Sequence, residues 1–267
     1  MRAAIIIRDT DLQLARARAF LAGLERHGDT GGIHDMHQAH TAIIEADFGV
    51  CWGKRNLDKL KTQSEGQDFV VMELGYMLDR LEWTSLGWNG LNGRAAFPLG
   101  DASRWRRYFA DLITGDWKEG GEYVLVAAQV PGDAAVDAVN IDAWAEKAVA
   151  RHVELGNIAS LRPHPLVTAP DLDLGEDLAG AYLAVTYNSN LGVDAVLAGV
   201  PTVAMDEGSM AWPVASHVVS EVVKPPRNKW AQAMAWTQWT LPEIASGEAW
   251  AALREARGGR PFHELEA

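Results

Sequence analysis

Short apolar runs alternate with helical patterns along most of this 267-residue chain, and that alternation restricts its fold more than any other feature. In the first half, apolar runs at 3–7, 48–52 and 69–74 are separated by segments with helical periodicity. The alternation begins again after a glycine-containing stretch at 115–121. Strands that alternate with helices form parallel sheets with helices packed on their faces. The sequence therefore predicts an α/β protein.

The renewed alternation divides the chain into two halves of similar size. We expect residues 1–118 and 119–240 to form two Rossmann-like domains with a cleft between them, followed by a helical tail over 241–267. Residues 79–97 are rich in glycine, asparagine and tryptophan and show no periodicity. This segment predicts a long ordered loop or a functional insert.

Composition excludes several classes of protein. The formal net charge of −12 argues against a general nucleic-acid coat protein, which would be basic. No apolar run approaches the roughly 20 residues that cross a bilayer, and the first residues do not have the pattern of a secretory signal. A single cysteine, Cys51, is consistent with a reducing compartment. We therefore expect a cytoplasmic protein without a membrane-spanning segment.

Polar residues follow an apolar strand pattern in the segment 185–208 (VTYNSNLGVDAVLAGVPTVAMDEG). Asn188, Ser189 and Asn190 come at the strand's carboxyl end, just before a short helical pattern that contains Gly192 and Asp194. Backbone N–H groups at a helix start favour phosphate, and an acid on the first turn could reach a sugar hydroxyl pair. The alternative is structural: Asn188 or Ser189 caps the helix, and Asp194 stabilises its first turn.

A second polar group, Arg162-Pro-His164-Pro, follows the strand predicted over 157–161. Ligands of open parallel sheets bind at the carboxyl ends of the strands, so this group and the polar residues at 188–190 are expected at one edge of one sheet. The alternative for His164 is a rigid turn histidine between two prolines. Their common location favours a ligand site.

Part of the sequence resembles a known family of enzymes. Residues 189–201 (SNLGVDAVLAGVP) resemble the donor-site signature of glycosyltransferases with the two-Rossmann-domain GT-B architecture. His164-Pro165 together with Asn188-Ser189 is similar to the HP and serine motifs of capsule-polysaccharide Kdo transferases. Trp236 to Trp250 is similar to the closing helices of short glycosyltransferase-like proteins from bacteriophage genomes and polysaccharide loci. The resemblance covers about residues 157–257.

This resemblance implies a metal-independent glycosyltransferase whose cosubstrate is a nucleotide sugar, UDP- or CMP-linked, with no other cofactor. It implies that the donor is bound by seven residues of the second domain: Arg162, His164, Asn188, Ser189, Asn190, Gly192 and Asp194. In the family the acid that holds the nucleotide ribose is commonly glutamate, whereas this chain has the shorter Asp194.

Transfer to a hydroxyl group usually needs a general base. Glu73 ends the apolar strand pattern DFVVM and is our first candidate, with Asp35 as the second. A helix cap or a surface ion pair is the alternative for each carboxylate. A retaining mechanism would need no such base, and the sequence leaves the stereochemistry open.

Two basic segments stand out in an acidic chain. They contain the candidate acceptor-binding residues Lys54, Arg55, Lys224, Arg227 and Lys229. Tryptophans among these cations favour a nucleic-acid or sugar contact, and a solvated surface is the alternative. DNA that carries a 5-hydroxymethylpyrimidine is therefore one expected acceptor, and a capsular or lipopolysaccharide sugar is the other.

Other functions remain open at this point. A nucleotide-sugar epimerase or hydrolase, or a non-catalytic nucleotide-sugar-binding protein, would need the same donor site. His34, His37 and His40 are spaced by three, but no cysteine or glutamate completes a zinc pattern, so no metal site is predicted. The chain contains no nucleophile elbow, Walker loop or dinucleotide-binding glycine pattern. The oligomeric state is not predicted.

Overall fold

The computed structural model describes residues 1–136, 139–219 and 221–266, and the chain forms two compact units. The first unit combines Met1–Arg104 with Gln232–Phe262, and the second contains Trp105–Ala231 and the residues from His263 onward. Each unit contains a sheet with parallel strands and helices on its faces. The predicted α/β class is confirmed.

The described residues contain ten strands and ten α-helices. The strands are β1 (Arg2–Ile6), β2 (Thr30–His34), β3 (Phe48–Trp52), β4 (Phe69–Leu74), β5 (Trp83–Trp88), β6 (Tyr123–Ala127), β7 (Ala159–Arg162), β8 (Ala181–Thr186), β9 (Thr202–Ala204) and β10 (Gln238–Thr240). The helices are α1 (Asp11–Glu25), α2 (Ala39–Ile44), α3 (Gly53–Lys61), α4 (Ser103–Tyr108), α5 (Ile141–Glu154), α6 (Leu174–Gly180), α7 (Leu191–Leu197), α8 (Asn228–Met234), α9 (Leu241–Ser246) and α10 (Glu248–Ala256).

The sheet of the first unit has six strands in the order β10-β5-β4-β3-β1-β2. The pairs among β1 to β4 are parallel, whereas β5 pairs antiparallel with β4 and with β10. Aromatic residues from distant parts of the chain fill one face, where the rings of Phe48 and Trp250 stack with centroids 5.0 Å apart. A second apolar cluster, which includes Leu57 and Ile43, covers the other face.

Buried polar contacts join the residues after α8 to the rest of the first unit. Gln238 on β10 accepts hydrogen bonds from the backbone N–H groups of Tyr76 and Met77 at 2.6 and 3.0 Å. The indole of Trp88 donates to the carbonyl of Leu253 at 2.7 Å. Because buried polar groups need partners, these bonds fix where the segment docks.

The sheet of the second unit has four parallel strands in the order β7-β6-β8-β9. One face packs against α5 through Ala145 and its neighbours, and the other packs against α6 and α7 through Leu178 and Ala195. Lys118 donates to three carbonyls at the end of α6, those of Leu178, Ala179 and Ala181, at 2.7–2.9 Å.

Residues 79–97, predicted as a long ordered loop or a functional insert, include the strand β5. All six residues of β5 are buried between β4 and β10. A strand covered on both faces has no alternation of polar and apolar residues, so its pattern looked irregular.

Within the described ranges, none of the helices combines the length and apolar character that crossing a bilayer requires.

Candidate functional site

Polar residues follow the carboxyl ends of all four strands of the second sheet. Gln129 follows β6, His164 follows β7, Asn188 follows β8 and Asp206 follows β9. Parallel strands bring these four loops to one edge, which we call the carboxyl edge of the second sheet. The sequence predicted His164 and Asn188 there. Gln129 and Asp206 were missed, although both stand one or two residues beyond a strand.

Asn188 links three of these loops. Its side-chain nitrogen donates to the carbonyl of Ala135 and to the carboxylate of Asp206, both at 3.0 Å. Its side-chain oxygen accepts from Gln129 at 2.8 Å, and its backbone N–H donates back to Gln129 at 3.0 Å. The residue is only 5% exposed. Asn188 therefore holds the carboxyl edge together and has little capacity left for a ligand.

Ser189 and Asn190 lead into α7. The hydroxyl oxygen of Ser189 accepts from the backbone N–H of Leu191 at 3.2 Å, which leaves the hydroxyl hydrogen to donate. The backbone N–H of Ser189 donates to the hydroxyl of Thr186 at 2.8 Å. Asn190 occupies the N-cap position without a side-chain capping bond. Ser189 is half-buried, so its O–H group can reach a ligand at this edge.

Gly192 allows α7 to pack closely on the sheet. A Cβ atom placed on it would lie 3.1 Å from the methyl group of Thr186 and 3.2 Å from the Cβ of Ala211. Close packing thus explains why a glycine occupies this position. Its contact with a donor phosphate stays a prediction. Asp194 is half-buried on the first turn of α7, and its predicted contact with a ribose also stays a prediction.

Arg162 and His164 have different surroundings. The guanidinium of Arg162 forms an ion pair with Asp177 and donates to the carbonyl of Leu172 at 3.0 Å, so its charge is already compensated. The ring nitrogen Nδ1 of His164 accepts from the backbone N–H of Leu166 at 3.2 Å. In the neutral imidazole the proton then lies on Nε2. His164 is half-buried, and its Nδ1 is engaged within the turn.

In the first unit, Glu73 is half-buried at the carboxyl end of β4. Its Oε1 accepts from the backbone N–H of Leu74 at 2.9 Å, and a Cβ placed on Gly53 would lie 3.4 Å from its Oε2. Gly53 has a positive φ of 70°, which glycine adopts without strain. The small residue at the start of α3 leaves room beside the carboxylate.

Arg16 and Tyr76 surround Glu73. Arg16 is 4% exposed and donates to the carbonyls of Leu12 and Leu81 at 3.2 and 2.5 Å. Burial lowers the pKa of the Arg16 guanidinium, and the negative charge of Glu73 acts in the opposite direction. Burial also raises the pKa of the Tyr76 phenol. The charge of Glu73 thus acts on both Arg16 and Tyr76. Sequence reasoning missed Arg16, because helical periodicity does not distinguish a buried arginine from an exposed one.

Asp35, the second candidate base, is exposed. Its Oδ1 accepts from the backbone N–H groups of His37 and Gln38 at 2.8 and 3.0 Å, as in a turn cap. The alternative role as a cap therefore accounts for this carboxylate. No group of three or more potential metal ligands occurs among the residues that the structure describes.

The five predicted acceptor-binding cations differ in availability. Arg227 is 7% exposed, donates to the carbonyls of Val196 and Gly115, and lies 4.5 Å from the ring centre of Trp117. Arg227 is thus part of the core of the second unit.

Two lysines of the basic segments form ion pairs within the protein. Lys54 pairs with Asp58 at 2.5 Å, and Lys224 pairs with Glu119 at 2.9 Å. Arg55 and Lys229 are exposed. Three of the five predicted cations therefore have most of their charge satisfied within the protein.

Two solved structures resemble the whole chain. The first is the beta Kdo 2,7 transferase of Thermosulfurimonas dismutans KpsC, with a TM-score of 0.62 and 12% sequence identity over 93% of this chain and 99% of that chain. The second is the beta Kdo 2,4 transferase of the same protein, with a TM-score of 0.59 and 12% identity over 88% and 91%. At this identity the likeness establishes a glycosyltransferase-like fold.

Sequence comparison adds nothing to this. No protein-family model matches the chain, and no curated protein matches it in sequence. The bacteriophage part of the predicted resemblance gains no support from either structure, whereas the Kdo-transferase part agrees with both in fold.

Proposed function

We propose that this protein is a glycosyltransferase that takes a sugar from a CMP- or UDP-linked donor and transfers it to a carbohydrate hydroxyl. The proposal is supported by one observation that combines the fold with the positions of two residues. A fold shared with two Kdo transferases over nearly their whole length presents His164 and Ser189 at one edge of one sheet. These are the two positions at which the sequence resembles the HP and serine motifs of such transferases.

The donor phosphate is proposed to bind at the carboxyl edge of the second sheet. Ser189 is proposed to donate its hydroxyl hydrogen to a phosphate oxygen, and His164 is proposed to contact the donor at the same edge. Asn188, Gln129 and Asp206 act indirectly, because their mutual hydrogen bonds set the loop positions. With these direct donors the reaction is proposed to need no metal ion. Asp194 remains the proposed partner of the nucleotide ribose.

Glu73 is proposed as the general base that accepts the proton of the attacking hydroxyl. A base must be ionised before the reaction, and the buried guanidinium of Arg16 is proposed to favour that state. Asp35 is a weaker candidate because its Oδ1 already caps a turn.

A carbohydrate acceptor is favoured over modified DNA. DNA binding depends on cations that neutralise phosphates. Arg227 is buried, and Lys54 and Lys224 are ion-paired within the protein. Three of the five candidate cations would have to give up internal partners before they could bind DNA.

The test begins with thermal unfolding of the purified chain in the presence of CMP-, UDP-, GDP- and ADP-sugars, including CMP-Kdo. A ligand at about 100 times its Kd should stabilise the folded state by about 2.7 kcal/mol. The responding donor is then incubated with acceptor oligosaccharides or with hydroxymethylated DNA, and transfer is measured by mass spectrometry.

Each outcome has a defined meaning. Transfer to an oligosaccharide that is abolished in Glu73→Gln and retained in Asp35→Asn supports the proposal and its base. Donor turnover without an acceptor indicates an epimerase or hydrolase. Transfer to DNA alone contradicts the proposed acceptor. A response to none of the donors contradicts the proposed donor class.

A further inference from the structure

Exposed aliphatic residues are concentrated beside β7. Sixteen large hydrophobic residues are exposed among those described, and seven of them lie between residues 153 and 172. We call this set the β7 face: Val153 (56% exposed), Leu155 (47%), Ile158 (71%), Leu161 (43%), Leu166 (84%), Val167 (58%) and Leu172 (47%). Single exposed aliphatic residues are normal on a surface, but a cluster of this size marks an interaction site.

The β7 strand is also an edge of its sheet. Among the described residues it pairs with β6 alone, and the carbonyls of Ile158 and Arg162 bond in that direction. Because successive backbone groups alternate, the N–H and C=O of Ala159 and Leu161 point away from the sheet. Edge strands are usually protected by an outward charge, but Arg162 turns onto Asp177. The edge is therefore able to pair with another strand.

One partner could cover the β7 face and the β7 edge together. The seven residues of the β7 face are between 43% and 84% exposed. Each partner in a stable protein complex buries roughly 800 Å², and a partner that packs along the β7 edge would cover these residues together with the strand.

We propose that the β7 face binds the same face of a second copy of this chain. In this arrangement two β7 strands pair antiparallel about a twofold axis and join two four-stranded sheets into one of eight strands. Such self-complementary twofold contacts are the commonest form of homo-oligomer. The outward N–H and C=O groups of Ala159 and Leu161 then bond to the same groups of the partner strand.

Charge distinguishes this partner from a lipid surface. Asp171, Asp173 and Glu176 are exposed beyond the carboxyl end of β7, whereas Arg151 and Glu154 pair with each other before its amino end. Antiparallel pairing keeps the two acidic ends apart, at opposite ends of the shared edge. An anionic bilayer would face these carboxylates directly, and like charges repel.

The dimer would also affect the loop that carries His164. The backbone N–H groups of Val167 and Thr168 donate to the carbonyl of His164 at 2.8 and 3.0 Å, so the exposed Leu166 and Val167 are part of the same turn. A partner packed on these two side chains would restrict the turn. The dimer itself does not depend on the proposed function.

Sedimentation equilibrium on the whole chain tests the proposal. We expect a dimer at micromolar concentration, and a variant with both Ile158→Glu and Leu166→Glu should raise the dimer Kd by ~100-fold or more. The control is Leu99→Glu, a leucine that is 68% exposed in the first unit, which should stay dimeric. Circular dichroism checks that all variants are folded.

A second variant separates strand pairing from apolar contact alone. Leu161→Pro removes one outward N–H group without breaking a bond to β6, because proline is tolerated on the free side of an edge strand. It should also yield monomers. A wild-type monomer at 100 times the protein concentration of the first run, or dimers that survive the double substitution, would overturn the proposal. So would binding of the monomer to phosphatidylglycerol vesicles through this face.

Discussion

The guanidinium of Arg104 donates to the carboxylate of Glu243 at 2.7 Å across 139 residues of sequence, and both side chains are almost completely buried. Arg104 also donates to the carbonyls of Ala235 and Gln238 and lies 3.8 Å from the ring centre of Trp239. Within the first unit, Arg104 thus connects α4 to residues 235–243 through several hydrogen bonds of one buried cation.

Removal of one partner should therefore be costly. We expect Glu243→Ala to lower the free energy of unfolding by about 3–5 kcal/mol, because it leaves a buried guanidinium without its counter-charge. Urea unfolding measures the change. Glu248→Ala is the control, since Glu248 lies 3.7 Å from Arg104 with a half-exposed side chain and should cost at most about 1 kcal/mol. Equal losses in both variants would contradict this account.

His164 allows ligand binding to be separated from local structure. In His164→Asn the side-chain oxygen can still accept from the N–H of Leu166, but the Nε2–H group is lost. We expect stability within about 0.5 kcal/mol of wild type and donor binding weakened roughly tenfold. Calorimetric titration with the responding nucleotide sugar measures the affinity. His164→Ala should lose both the turn bond and the donor contact, and unchanged affinity in the asparagine variant would remove His164 from the site.

Substitutions of the neighbouring residues Asn188 and Ser189 should have different effects on stability and on donor binding. Asn188→Ala breaks the bonds to Gln129 and Asp206 and should lower the free energy of unfolding by about 1–3 kcal/mol. Ser189→Ala should change stability by at most about 0.5 kcal/mol and weaken donor binding roughly tenfold. Thermal unfolding with and without donor gives both quantities. A loss of binding without a loss of stability in Asn188→Ala would make it a direct ligand.

Stability should fall in mild acid because of His152. Its ring is 1% exposed, and burial, assisted by the charge of Arg151, lowers its pKa from 6.5. The folded state therefore favours the neutral ring. Well above pH 6.5 the ring is neutral in both the folded and the unfolded state, and the full stability is present. As the pH falls below 6.5 the unfolded state binds a proton, whereas the folded state binds one only near its own lower pKa. The free energy of unfolding therefore decreases in this range.

Urea unfolding between pH 8 and pH 5 tests this expectation. The loss of stability below pH 6.5 should be smaller in His152→Leu than in the wild-type chain. The control is His40→Leu, at an exposed histidine of the first unit. An unchanged profile in His152→Leu would assign the acid sensitivity to other groups.

The elements with a clear period were predictable from the sequence. β3 and β4 have the bounds of the apolar runs at 48–52 and 69–74. In contrast, β2 (TGGIH) has no apolar run, and its residues are only partly buried because it is an edge strand. β10 was hidden in a helical context, since a three-residue strand is fixed by its partner β5 and not by its own periodicity.

The location of the candidate site at one edge of the second sheet was predictable from the sequence, but the role of each residue there was not. The strand ends identified His164 and the residues around Asn188. Only the structure shows that Asn188 and Arg162 use their side chains within the protein, because both partners, Asp206 and Asp177, lie 15–18 residues away. A sequence pattern indicates which groups come to an edge, and side-chain partners decide which of them remain available.

The position of β10 has a consequence for biosynthesis. The first unit needs residues 232–262 to complete its sheet and to cover Phe48 with Trp250, so its N-terminal part cannot finish folding while the ribosome is still translating the middle of the message. The second unit, by contrast, draws nearly all its residues from one continuous stretch. Domains generally fold from the N-terminus during synthesis. In this chain residues 105–231 of the second unit are synthesised before the first unit is complete, and β1 to β5 remain without β10 and Trp250 until residues 232–262 have been translated.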